Sequence, residues 1–190
     1  MTDQDETQRG LRADAERNRD RIANAARAAF RELGADAPTK EIAKRAGVGT
    51  ATLYRRFPTR EDLLVHVFAD RLTGCESSVH AALADSDPWR GLVEHVNHLA
   101  HLQLEDRAFT AVFLHDFPAD SPVGRSRVEA GEALRQLIDA AKATGDLRQD
   151  VDENDVMLLL KANDGVLRWA DDPARESGRL VERFLRSLHA

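Results

Sequence analysis

Thr39-Lys-Glu-Ile-Ala-Lys-Arg-Ala-Gly47-Val48-Gly49-Thr-Ala-Thr-Leu-Tyr-Arg-Arg-Phe57-Pro58-Thr-Arg-Glu-Asp-Leu-Leu64 carries two short amphipathic segments on either side of a glycine-flanked valine. Ile42, Ala43 and Ala46 recur at helical spacing behind Thr39 as cap, and Leu53 and Phe57 do so behind Gly49. Helix, tight turn, helix is the arrangement of a helix-turn-helix, and glycine lets the backbone reverse where a side chain would clash. With Leu53 and Phe57 inward, the second helix turns Thr50, Ala51, Thr52, Tyr54, Arg55 and Arg56 outward. Those groups suit a nucleic-acid duplex. Small side chains permit close approach, hydroxyls and guanidinium groups meet phosphates, and arginine can bond a guanine edge with two hydrogen bonds.

Phe57-Pro58 ends the second helix, and Thr59 with Asp62 three residues on starts another in an approximate capping box. The run from Ile22 to Leu64 resembles the DNA-binding domain of the TetR family of bacterial transcriptional repressors. The resemblance lies in Ile42-Ala43-Lys44-Arg45-Ala46-Gly47-Val48 and Thr52-Leu53-Tyr54-Arg55-Arg56-Phe57. It departs at Gly49, where the family usually places serine as helix cap; glycine caps at a cost of only a few tenths of a kcal/mol, roughly. The resemblance implies an all-α protein with a three-helix DNA-binding head and a helical body for ligand binding and dimerisation. Thr50, Ala51 and Arg55 are the candidates for base edges, Tyr54 and Thr39 for phosphates, and Lys40 and Arg60, at helix starts, for the flanks of the groove.

The charge is unevenly spread. The chain carries −6 overall, but residues 9–62 carry +5, residues 1–8 carry −3 and residues 63–190 carry −8. A basic head on an acidic body fits a DNA surface with a separate partner-facing domain. The single cysteine, Cys75, excludes an internal disulfide framework and points to a reducing cytoplasm. No apolar stretch approaches the ~20 residues of a membrane span, and the first residues are polar and acidic rather than those of a signal peptide.

Along the chain, residues 1–15 are polar without apolar period and read as a flexible arm, with arginines suited to phosphates or a minor groove. A first helix from Glu16 to Leu33 places Ile22, Ala25, Ala26, Ala29, Phe30 and Leu33 on one stripe and stops at Gly34. The head therefore spans residues 16–62 and the body residues 63–190. Six further helices are predicted: Arg60–Leu83, bent at Gly74; Pro88–Leu104 behind an Asp87 cap; Arg107–Phe117; Val123–Thr144; Asn154–Ala170; and a last one after Pro173 ending at Leu188. Nine helices in all make the expected fold all-α.

In the body, Asn163 falls on the apolar stripe of the eighth helix and must find a polar partner when buried. With His95, Phe109, Phe113 and Trp169 it would line a mostly apolar small-molecule cavity, with ordinary core packing the equal alternative and a hydrogen-bonded core histidine the simpler reading of His95. Val156 to Leu160 is apolar all round, so this helix is buried on more than one side. Leu159 there, and Leu180, Val181, Phe184, Leu185 and Leu188 in the ninth, are predicted to form the interface of a homodimer suited to a palindromic operator. Glu94, His98, His101 and Glu105 form a stripe with metal-compatible spacing, but a solvated face explains it better because no cysteine or further carboxylate pair supports a site, so no metal ligand or other cofactor is assigned. No phosphate-binding glycine loop or nucleophile elbow is present, so no catalytic residue is assigned and an enzyme is not expected. The expectation is a cytoplasmic homodimeric repressor that binds double-stranded DNA and is released by a small effector. A ligand-independent DNA-binding dimer is the second reading, and a helical metal-binding protein or enzyme the third.

Overall fold

The computed structural model describes residues 3–34, 36–114, 118 and 120–190, with side chains from residue 14 onward apart from those of 107, 111, 112 and 122. Among these residues there are nine helices and no strand. They are α1 (Asp3–Leu33), α2 (Thr39–Ala46), α3 (Thr50–Arg56), α4 (Arg60–Leu83), α5 (Pro88–Glu105), α6 (Arg107–Phe113), α7 (Pro122–Thr144), α8 (Glu153–Trp169) and α9 (Pro173–Leu188). The chain divides into two units, Met1–Phe68 and Ala69–Ala190.

In the first unit α1 begins at Asp3, so residues 3–15, expected as a flexible arm, are its first turns. Gln, Arg, Ala, Leu and Glu make up eight of its thirteen residues, good helix formers that need no apolar period to propagate a helix already anchored downstream. Ile22, Ala26, Ala29 and Phe30 are fully buried, whereas Leu33, 49% exposed, points away from the core it was expected to join. α2 starts behind Pro38 rather than Thr39, which is its first helical residue and makes no cap bond. α3 is capped by Gly49 without a side-chain bond, and the amides of Thr52 and Leu53 reach the Gly49 carbonyl at 2.9 and 3.1 Å. The Thr59–Asp62 box closes in both directions: Thr59 N donates to Asp62 Oδ2 at 2.9 Å, and Asp62 N donates to Thr59 Oγ1 at 3.0 Å.

α4 breaks at Phe68 (φ −119°, ψ 16°) rather than at Gly74. The Arg27 guanidinium donates to the Val67 carbonyl, and a side chain inserted into the helical ladder is a recognised cause of such a break. Phe68 meanwhile packs its ring 6.1 Å from that of Phe30.

In the second unit α5 is central and touches α6, α7, α8 and α9. The helix starts are fixed by short polar side chains: Asp87 accepts from Arg90 N at 2.9 Å, Ser121 from Gly124 N at 3.0 Å, and Asp172 from Arg175 N at 3.2 Å. Asp152 and Asp155 form a full capping box on α8. The sixth helix is shorter than expected; its described part ends at Phe113, and residues 115–117 lie outside the described residues. Arg148 N donates to the Leu188 carbonyl at 3.0 Å and Ala190 N to that of Asp146 at 3.0 Å, which ties the end of α9 to the α7–α8 connection.

Gly91 marks the tightest approach, since a Cβ there would lie 2.6 Å from the Ala82 carbonyl oxygen. That neighbour is backbone and cannot rotate away. Gly91→Ala is expected to destabilise the protein by about 1–3 kcal/mol, as overpacking does. Gly178→Ala, in α9 with nothing within 4 Å, should be neutral or raise stability by about 0.5–1 kcal/mol. Chemical denaturation of both variants tests the pair, and equal stability of the two would refute the packing argument.

Candidate nucleic-acid interface

The head displays a short exposed surface. Thr50, Ala51, Tyr54 and Arg55 of α3 are exposed, Tyr54 by 50%, while Leu53 is buried beneath them and Phe57 closes the end. Lys40 and Lys44 of α2 are also exposed. Lys44 is a basic group that sequence reasoning left out, although its position in the last turn of α2 was visible. Thr39, Thr52 and Arg56 are only half exposed, and the Nε of Arg56 is buried without a partner among the described residues.

Three basic residues in or beside this surface are committed elsewhere. Arg60 was expected to flank a groove, but its Nη1 donates to the Ala37 carbonyl at 2.8 Å and its guanidinium lies 5.5 Å over the Phe30 ring. Its aliphatic stem serves the core, and burial lowers its pKa. Arg45 is held by Glu32 at 2.8 Å and Glu41 at 2.9 Å, partners that raise its pKa. Arg21 donates to the carbonyls of Ala46 at 2.7 Å and Gly47 at 3.3 Å and so caps the end of α2. Of the arm's arginines, the side chains of Arg9 and Arg12 lie outside the described residues.

The second unit holds a cavity of about 230 Å³. His95 and Phe113 line it, together with Leu99, Val156 and Leu160. Three other residues expected there do not. Trp169 is 87% exposed, at the end of α8. Asn163 is fully buried one turn beyond Leu160, where its Nδ2 donates to Gln103 Oε1 at 2.9 Å and Gln103 Nε2 donates to the Leu160 carbonyl at 3.0 Å. Phe109 is buried behind Phe113, ring centres 5.5 Å apart. Sequence reasoning missed the wall from α7, where Arg127, Ala130, Gly131 and Leu134 fall at i, i+3, i+4 and i+7. The small residues at 130 and 131 were the available signal, since they leave room that larger side chains would fill.

The metal-compatible stripe is not brought together. Glu105 is taken by Arg71 at 2.6 Å and by His101 at 3.1 Å, and Glu94 is exposed. Among the described residues no three His, Cys, Asp or Glu side chains gather as a metal ion would need. Cys75 is buried, which pushes its thiol up to about 12, so it stays protonated and unreactive at neutral pH. None of the described helices is long and apolar enough to cross a membrane.

The expected interface residues divide. Leu159, Val181, Leu185 and Leu188 are buried within the protomer, so their apolar surface is already used. Leu180 and Phe184 stay half exposed. The open face of α8 is instead Leu158, Ala162, Gly165 and Trp169, which share one side at 100° per residue, with Leu158 62% exposed.

Residues 22–67 match the family model of bacterial regulatory proteins, tetR family, and residues 87–189 match that of the SbtR-like transcriptional regulator C-terminal domain. A TetR transcriptional regulator from Streptomyces coelicolor is 31% identical, with 90% of this chain and 98% of that chain covered, at a TM-score of 0.54. A TetR regulatory protein from Mycobacterium vanbaalenii is 29% identical over 95% and 99% of the two chains, at 0.50. The regulator PfmR from Thermus thermophilus shares the fold at 24% identity and 0.63, over 87% and 92%. No match was found among curated protein sequences.

His95 makes a prediction independent of any ligand. Its ring is buried, and that burial, helped by nearby His98, pushes its pKa from 6.5 down to about 4. Between those values the unfolded chain takes up a proton that the folded chain refuses, so stability falls as pH drops from 6.5 toward 4. The share due to His95 approaches about 3 kcal/mol at the acid end. It is read as the difference between the pH–stability curves of the native chain and a His95→Gln variant, and parallel curves would contradict the shift.

Proposed function

The chain belongs to the TetR family of transcriptional regulators, and from that premise we propose that it is a homodimeric repressor that holds a palindromic operator and releases it when a small molecule enters the body cavity. The observation that carries the DNA reading is the exposed run Thr50, Ala51, Tyr54 and Arg55 on a helix anchored by buried Leu53, in the basic part of the chain. Arg55, Thr50 and Ala51 meet base edges, and Tyr54, Thr39, Thr52, Arg56 and Lys40 meet the phosphates beside them. Arg60 acts through its hold on Ala37 rather than by touching DNA. The effector reading is favoured over the ligand-independent one by the cavity of about 230 Å³ with its mostly apolar wall. α4 runs through the boundary of the two units and is the element through which occupancy of the body is felt by the head.

Fragments of the host genome selected by the full-length protein supply the operator for the test. Arg55→Ala is expected to cost roughly 1–3 kcal/mol and to relax preference at one base of each half-site. Lys40→Ala should weaken all sequences alike and lower the slope of log affinity against log salt by about one. Unchanged affinity and preference in Arg55→Ala at moderate salt would remove α3 as the reading helix.

The dimer is proposed through the Leu158, Ala162, Gly165 and Trp169 face of α8, with Leu180 and Phe184 of α9 beside it. Two large apolar side chains exposed on one helix face mark an interaction surface, and the small residues between them let a second helix come close. Leu158→Glu combined with Trp169→Glu should give folded monomers in sedimentation at micromolar concentration, with operator affinity lost. A stable dimer in that variant would place the interface elsewhere.

A further inference from the structure

Reading the cavity as an effector site leaves open what kind of molecule enters it, and its walls narrow the choice. At about 230 Å³ it lies between an engineered cavity of roughly 150 Å³ that takes benzene and the roughly 300 Å³ at which drug-sized sites begin. One ring with a short substituent fills that volume. The wall is apolar around Leu99, Phe113, Leu134, Val156 and Leu160.

The polar groups decide the charge. Burial keeps both the Cys75 thiol and the His95 ring neutral at pH 7. Among the described residues the lining carries one of each sign, Arg127 and Glu153. Arg127 already has a partner within the protein, and Glu153 accepts from Arg135 at 3.3 Å. An ionised ligand would therefore give up its hydration for at most a shared counter-charge, a far larger penalty than a neutral polar group meets.

His95 supplies the anchor. Its Nδ1 lies 2.9 Å from Ser78 Oγ. With the Ser78 hydroxyl as donor to Nδ1, the neutral ring carries its own hydrogen on Nε2. That N–H is a donor on a neutral, buried ring at the cavity wall.

We propose that the effector is a small uncharged carbonyl compound, a ketone or ester of about one ring, whose oxygen accepts a hydrogen bond from His95 Nε2 while its apolar body fills the space between α5, α7 and α8. The proposal rests on the effector reading above.

The test uses the full-length dimer and its selected operator. Acetophenone and its para-alkyl homologues are compared by calorimetry with matched benzoates and alkylbenzenes, and DNA release is followed in parallel. The ketones are expected to bind at least tenfold more tightly than the benzoates and to release DNA. His95→Phe should weaken the ketones about tenfold, the worth of one neutral hydrogen bond, while leaving alkylbenzenes unchanged. His95→Gln, which restores a donor, should recover part of the loss. Benzoates binding more tightly and releasing DNA would overturn the neutral class while leaving the effector reading intact. Equal losses for ketones and alkylbenzenes in a folded His95→Phe would overturn the anchor. No binding by any series to the folded dimer would overturn the inference. Ketone binding without any effect on DNA would uphold the cavity's chemistry and remove the effector reading instead.

Discussion

Gly47 ends α2 at φ +64°, and Arg21 reaches across from α1 to the two carbonyls beside that turn. A Cβ at this position would be strained by the backbone and would stand 3.3 Å from the Arg21 guanidinium. The cation also sits where the negative end of the helix dipole is found, worth about 0.3–1 kcal/mol. Burying Leu53 and Phe57 contributes more, about 1.5–3 kcal/mol each. The two effects do different work. Burial keeps α3 on the head, while the turn sets the rotation at which it arrives, and therefore which side chains face outward. A residue that cannot adopt the left-handed conformation would keep the hydrophobic pattern and lose the surface.

The body meets the opposite problem, a polar pair inside an apolar core. Gln103 and Asn163 bond to each other and to the Leu160 carbonyl, yet Asn163 Oδ1 is buried with no partner among the described residues. Two neutral hydrogen bonds return about 0.5–1.5 kcal/mol each, and one unmet acceptor costs about 1–3. The pair therefore comes out near zero, and an apolar replacement of the same shape would be no less stable. Its contribution is positional, because it fixes the register of α5 against α8 one turn from Leu99 and Leu160 of the cavity wall. His95 and Ser78 tie α5 to α4 at the other end of that wall.

What could be read from the sequence follows the reach of each signal. Caps and turns are local, so Gly47, Gly49, Asp87 and the Thr59–Asp62 box were legible, and so was the buried stripe Ile42, Ala43, Ala46. Arg60 was not, because its partners Phe30 and Ala37 are 30 and 23 residues away and nothing near Arg60 announces them. Leu158 and Leu159 defeat periodicity for another reason. In a run that is apolar all round, a core face and a partner face look alike, and only the packing separates exposed Leu158 from buried Leu159. Trp169 was expected in the cavity with Asn163, but it lies on the open side of α8 with Leu158, about a third of a turn away from Asn163.

A switch built on this cavity is limited by what a small ligand can spend. Moving a two-state equilibrium from 1:99 to 99:1 takes about 5.5 kcal/mol of differential affinity. A ligand of about ten heavy atoms, at roughly 0.3–1 kcal/mol for each, has about 3–10 kcal/mol in total. Most of its binding energy must then distinguish the two states. That condition is met only if the cavity largely closes in the conformation that holds DNA, because a wall that merely loosened around the ligand would forfeit only part of the contact. The wall best able to close is the α7 face at Ala130 and Gly131, where a helix can advance by the width of a missing side chain before backbone meets Leu99 or Val156. On this argument the small residues of α7 matter for the amplitude of release more than for affinity, and the polar anchor at His95 selects the ligand without setting how far the equilibrium moves.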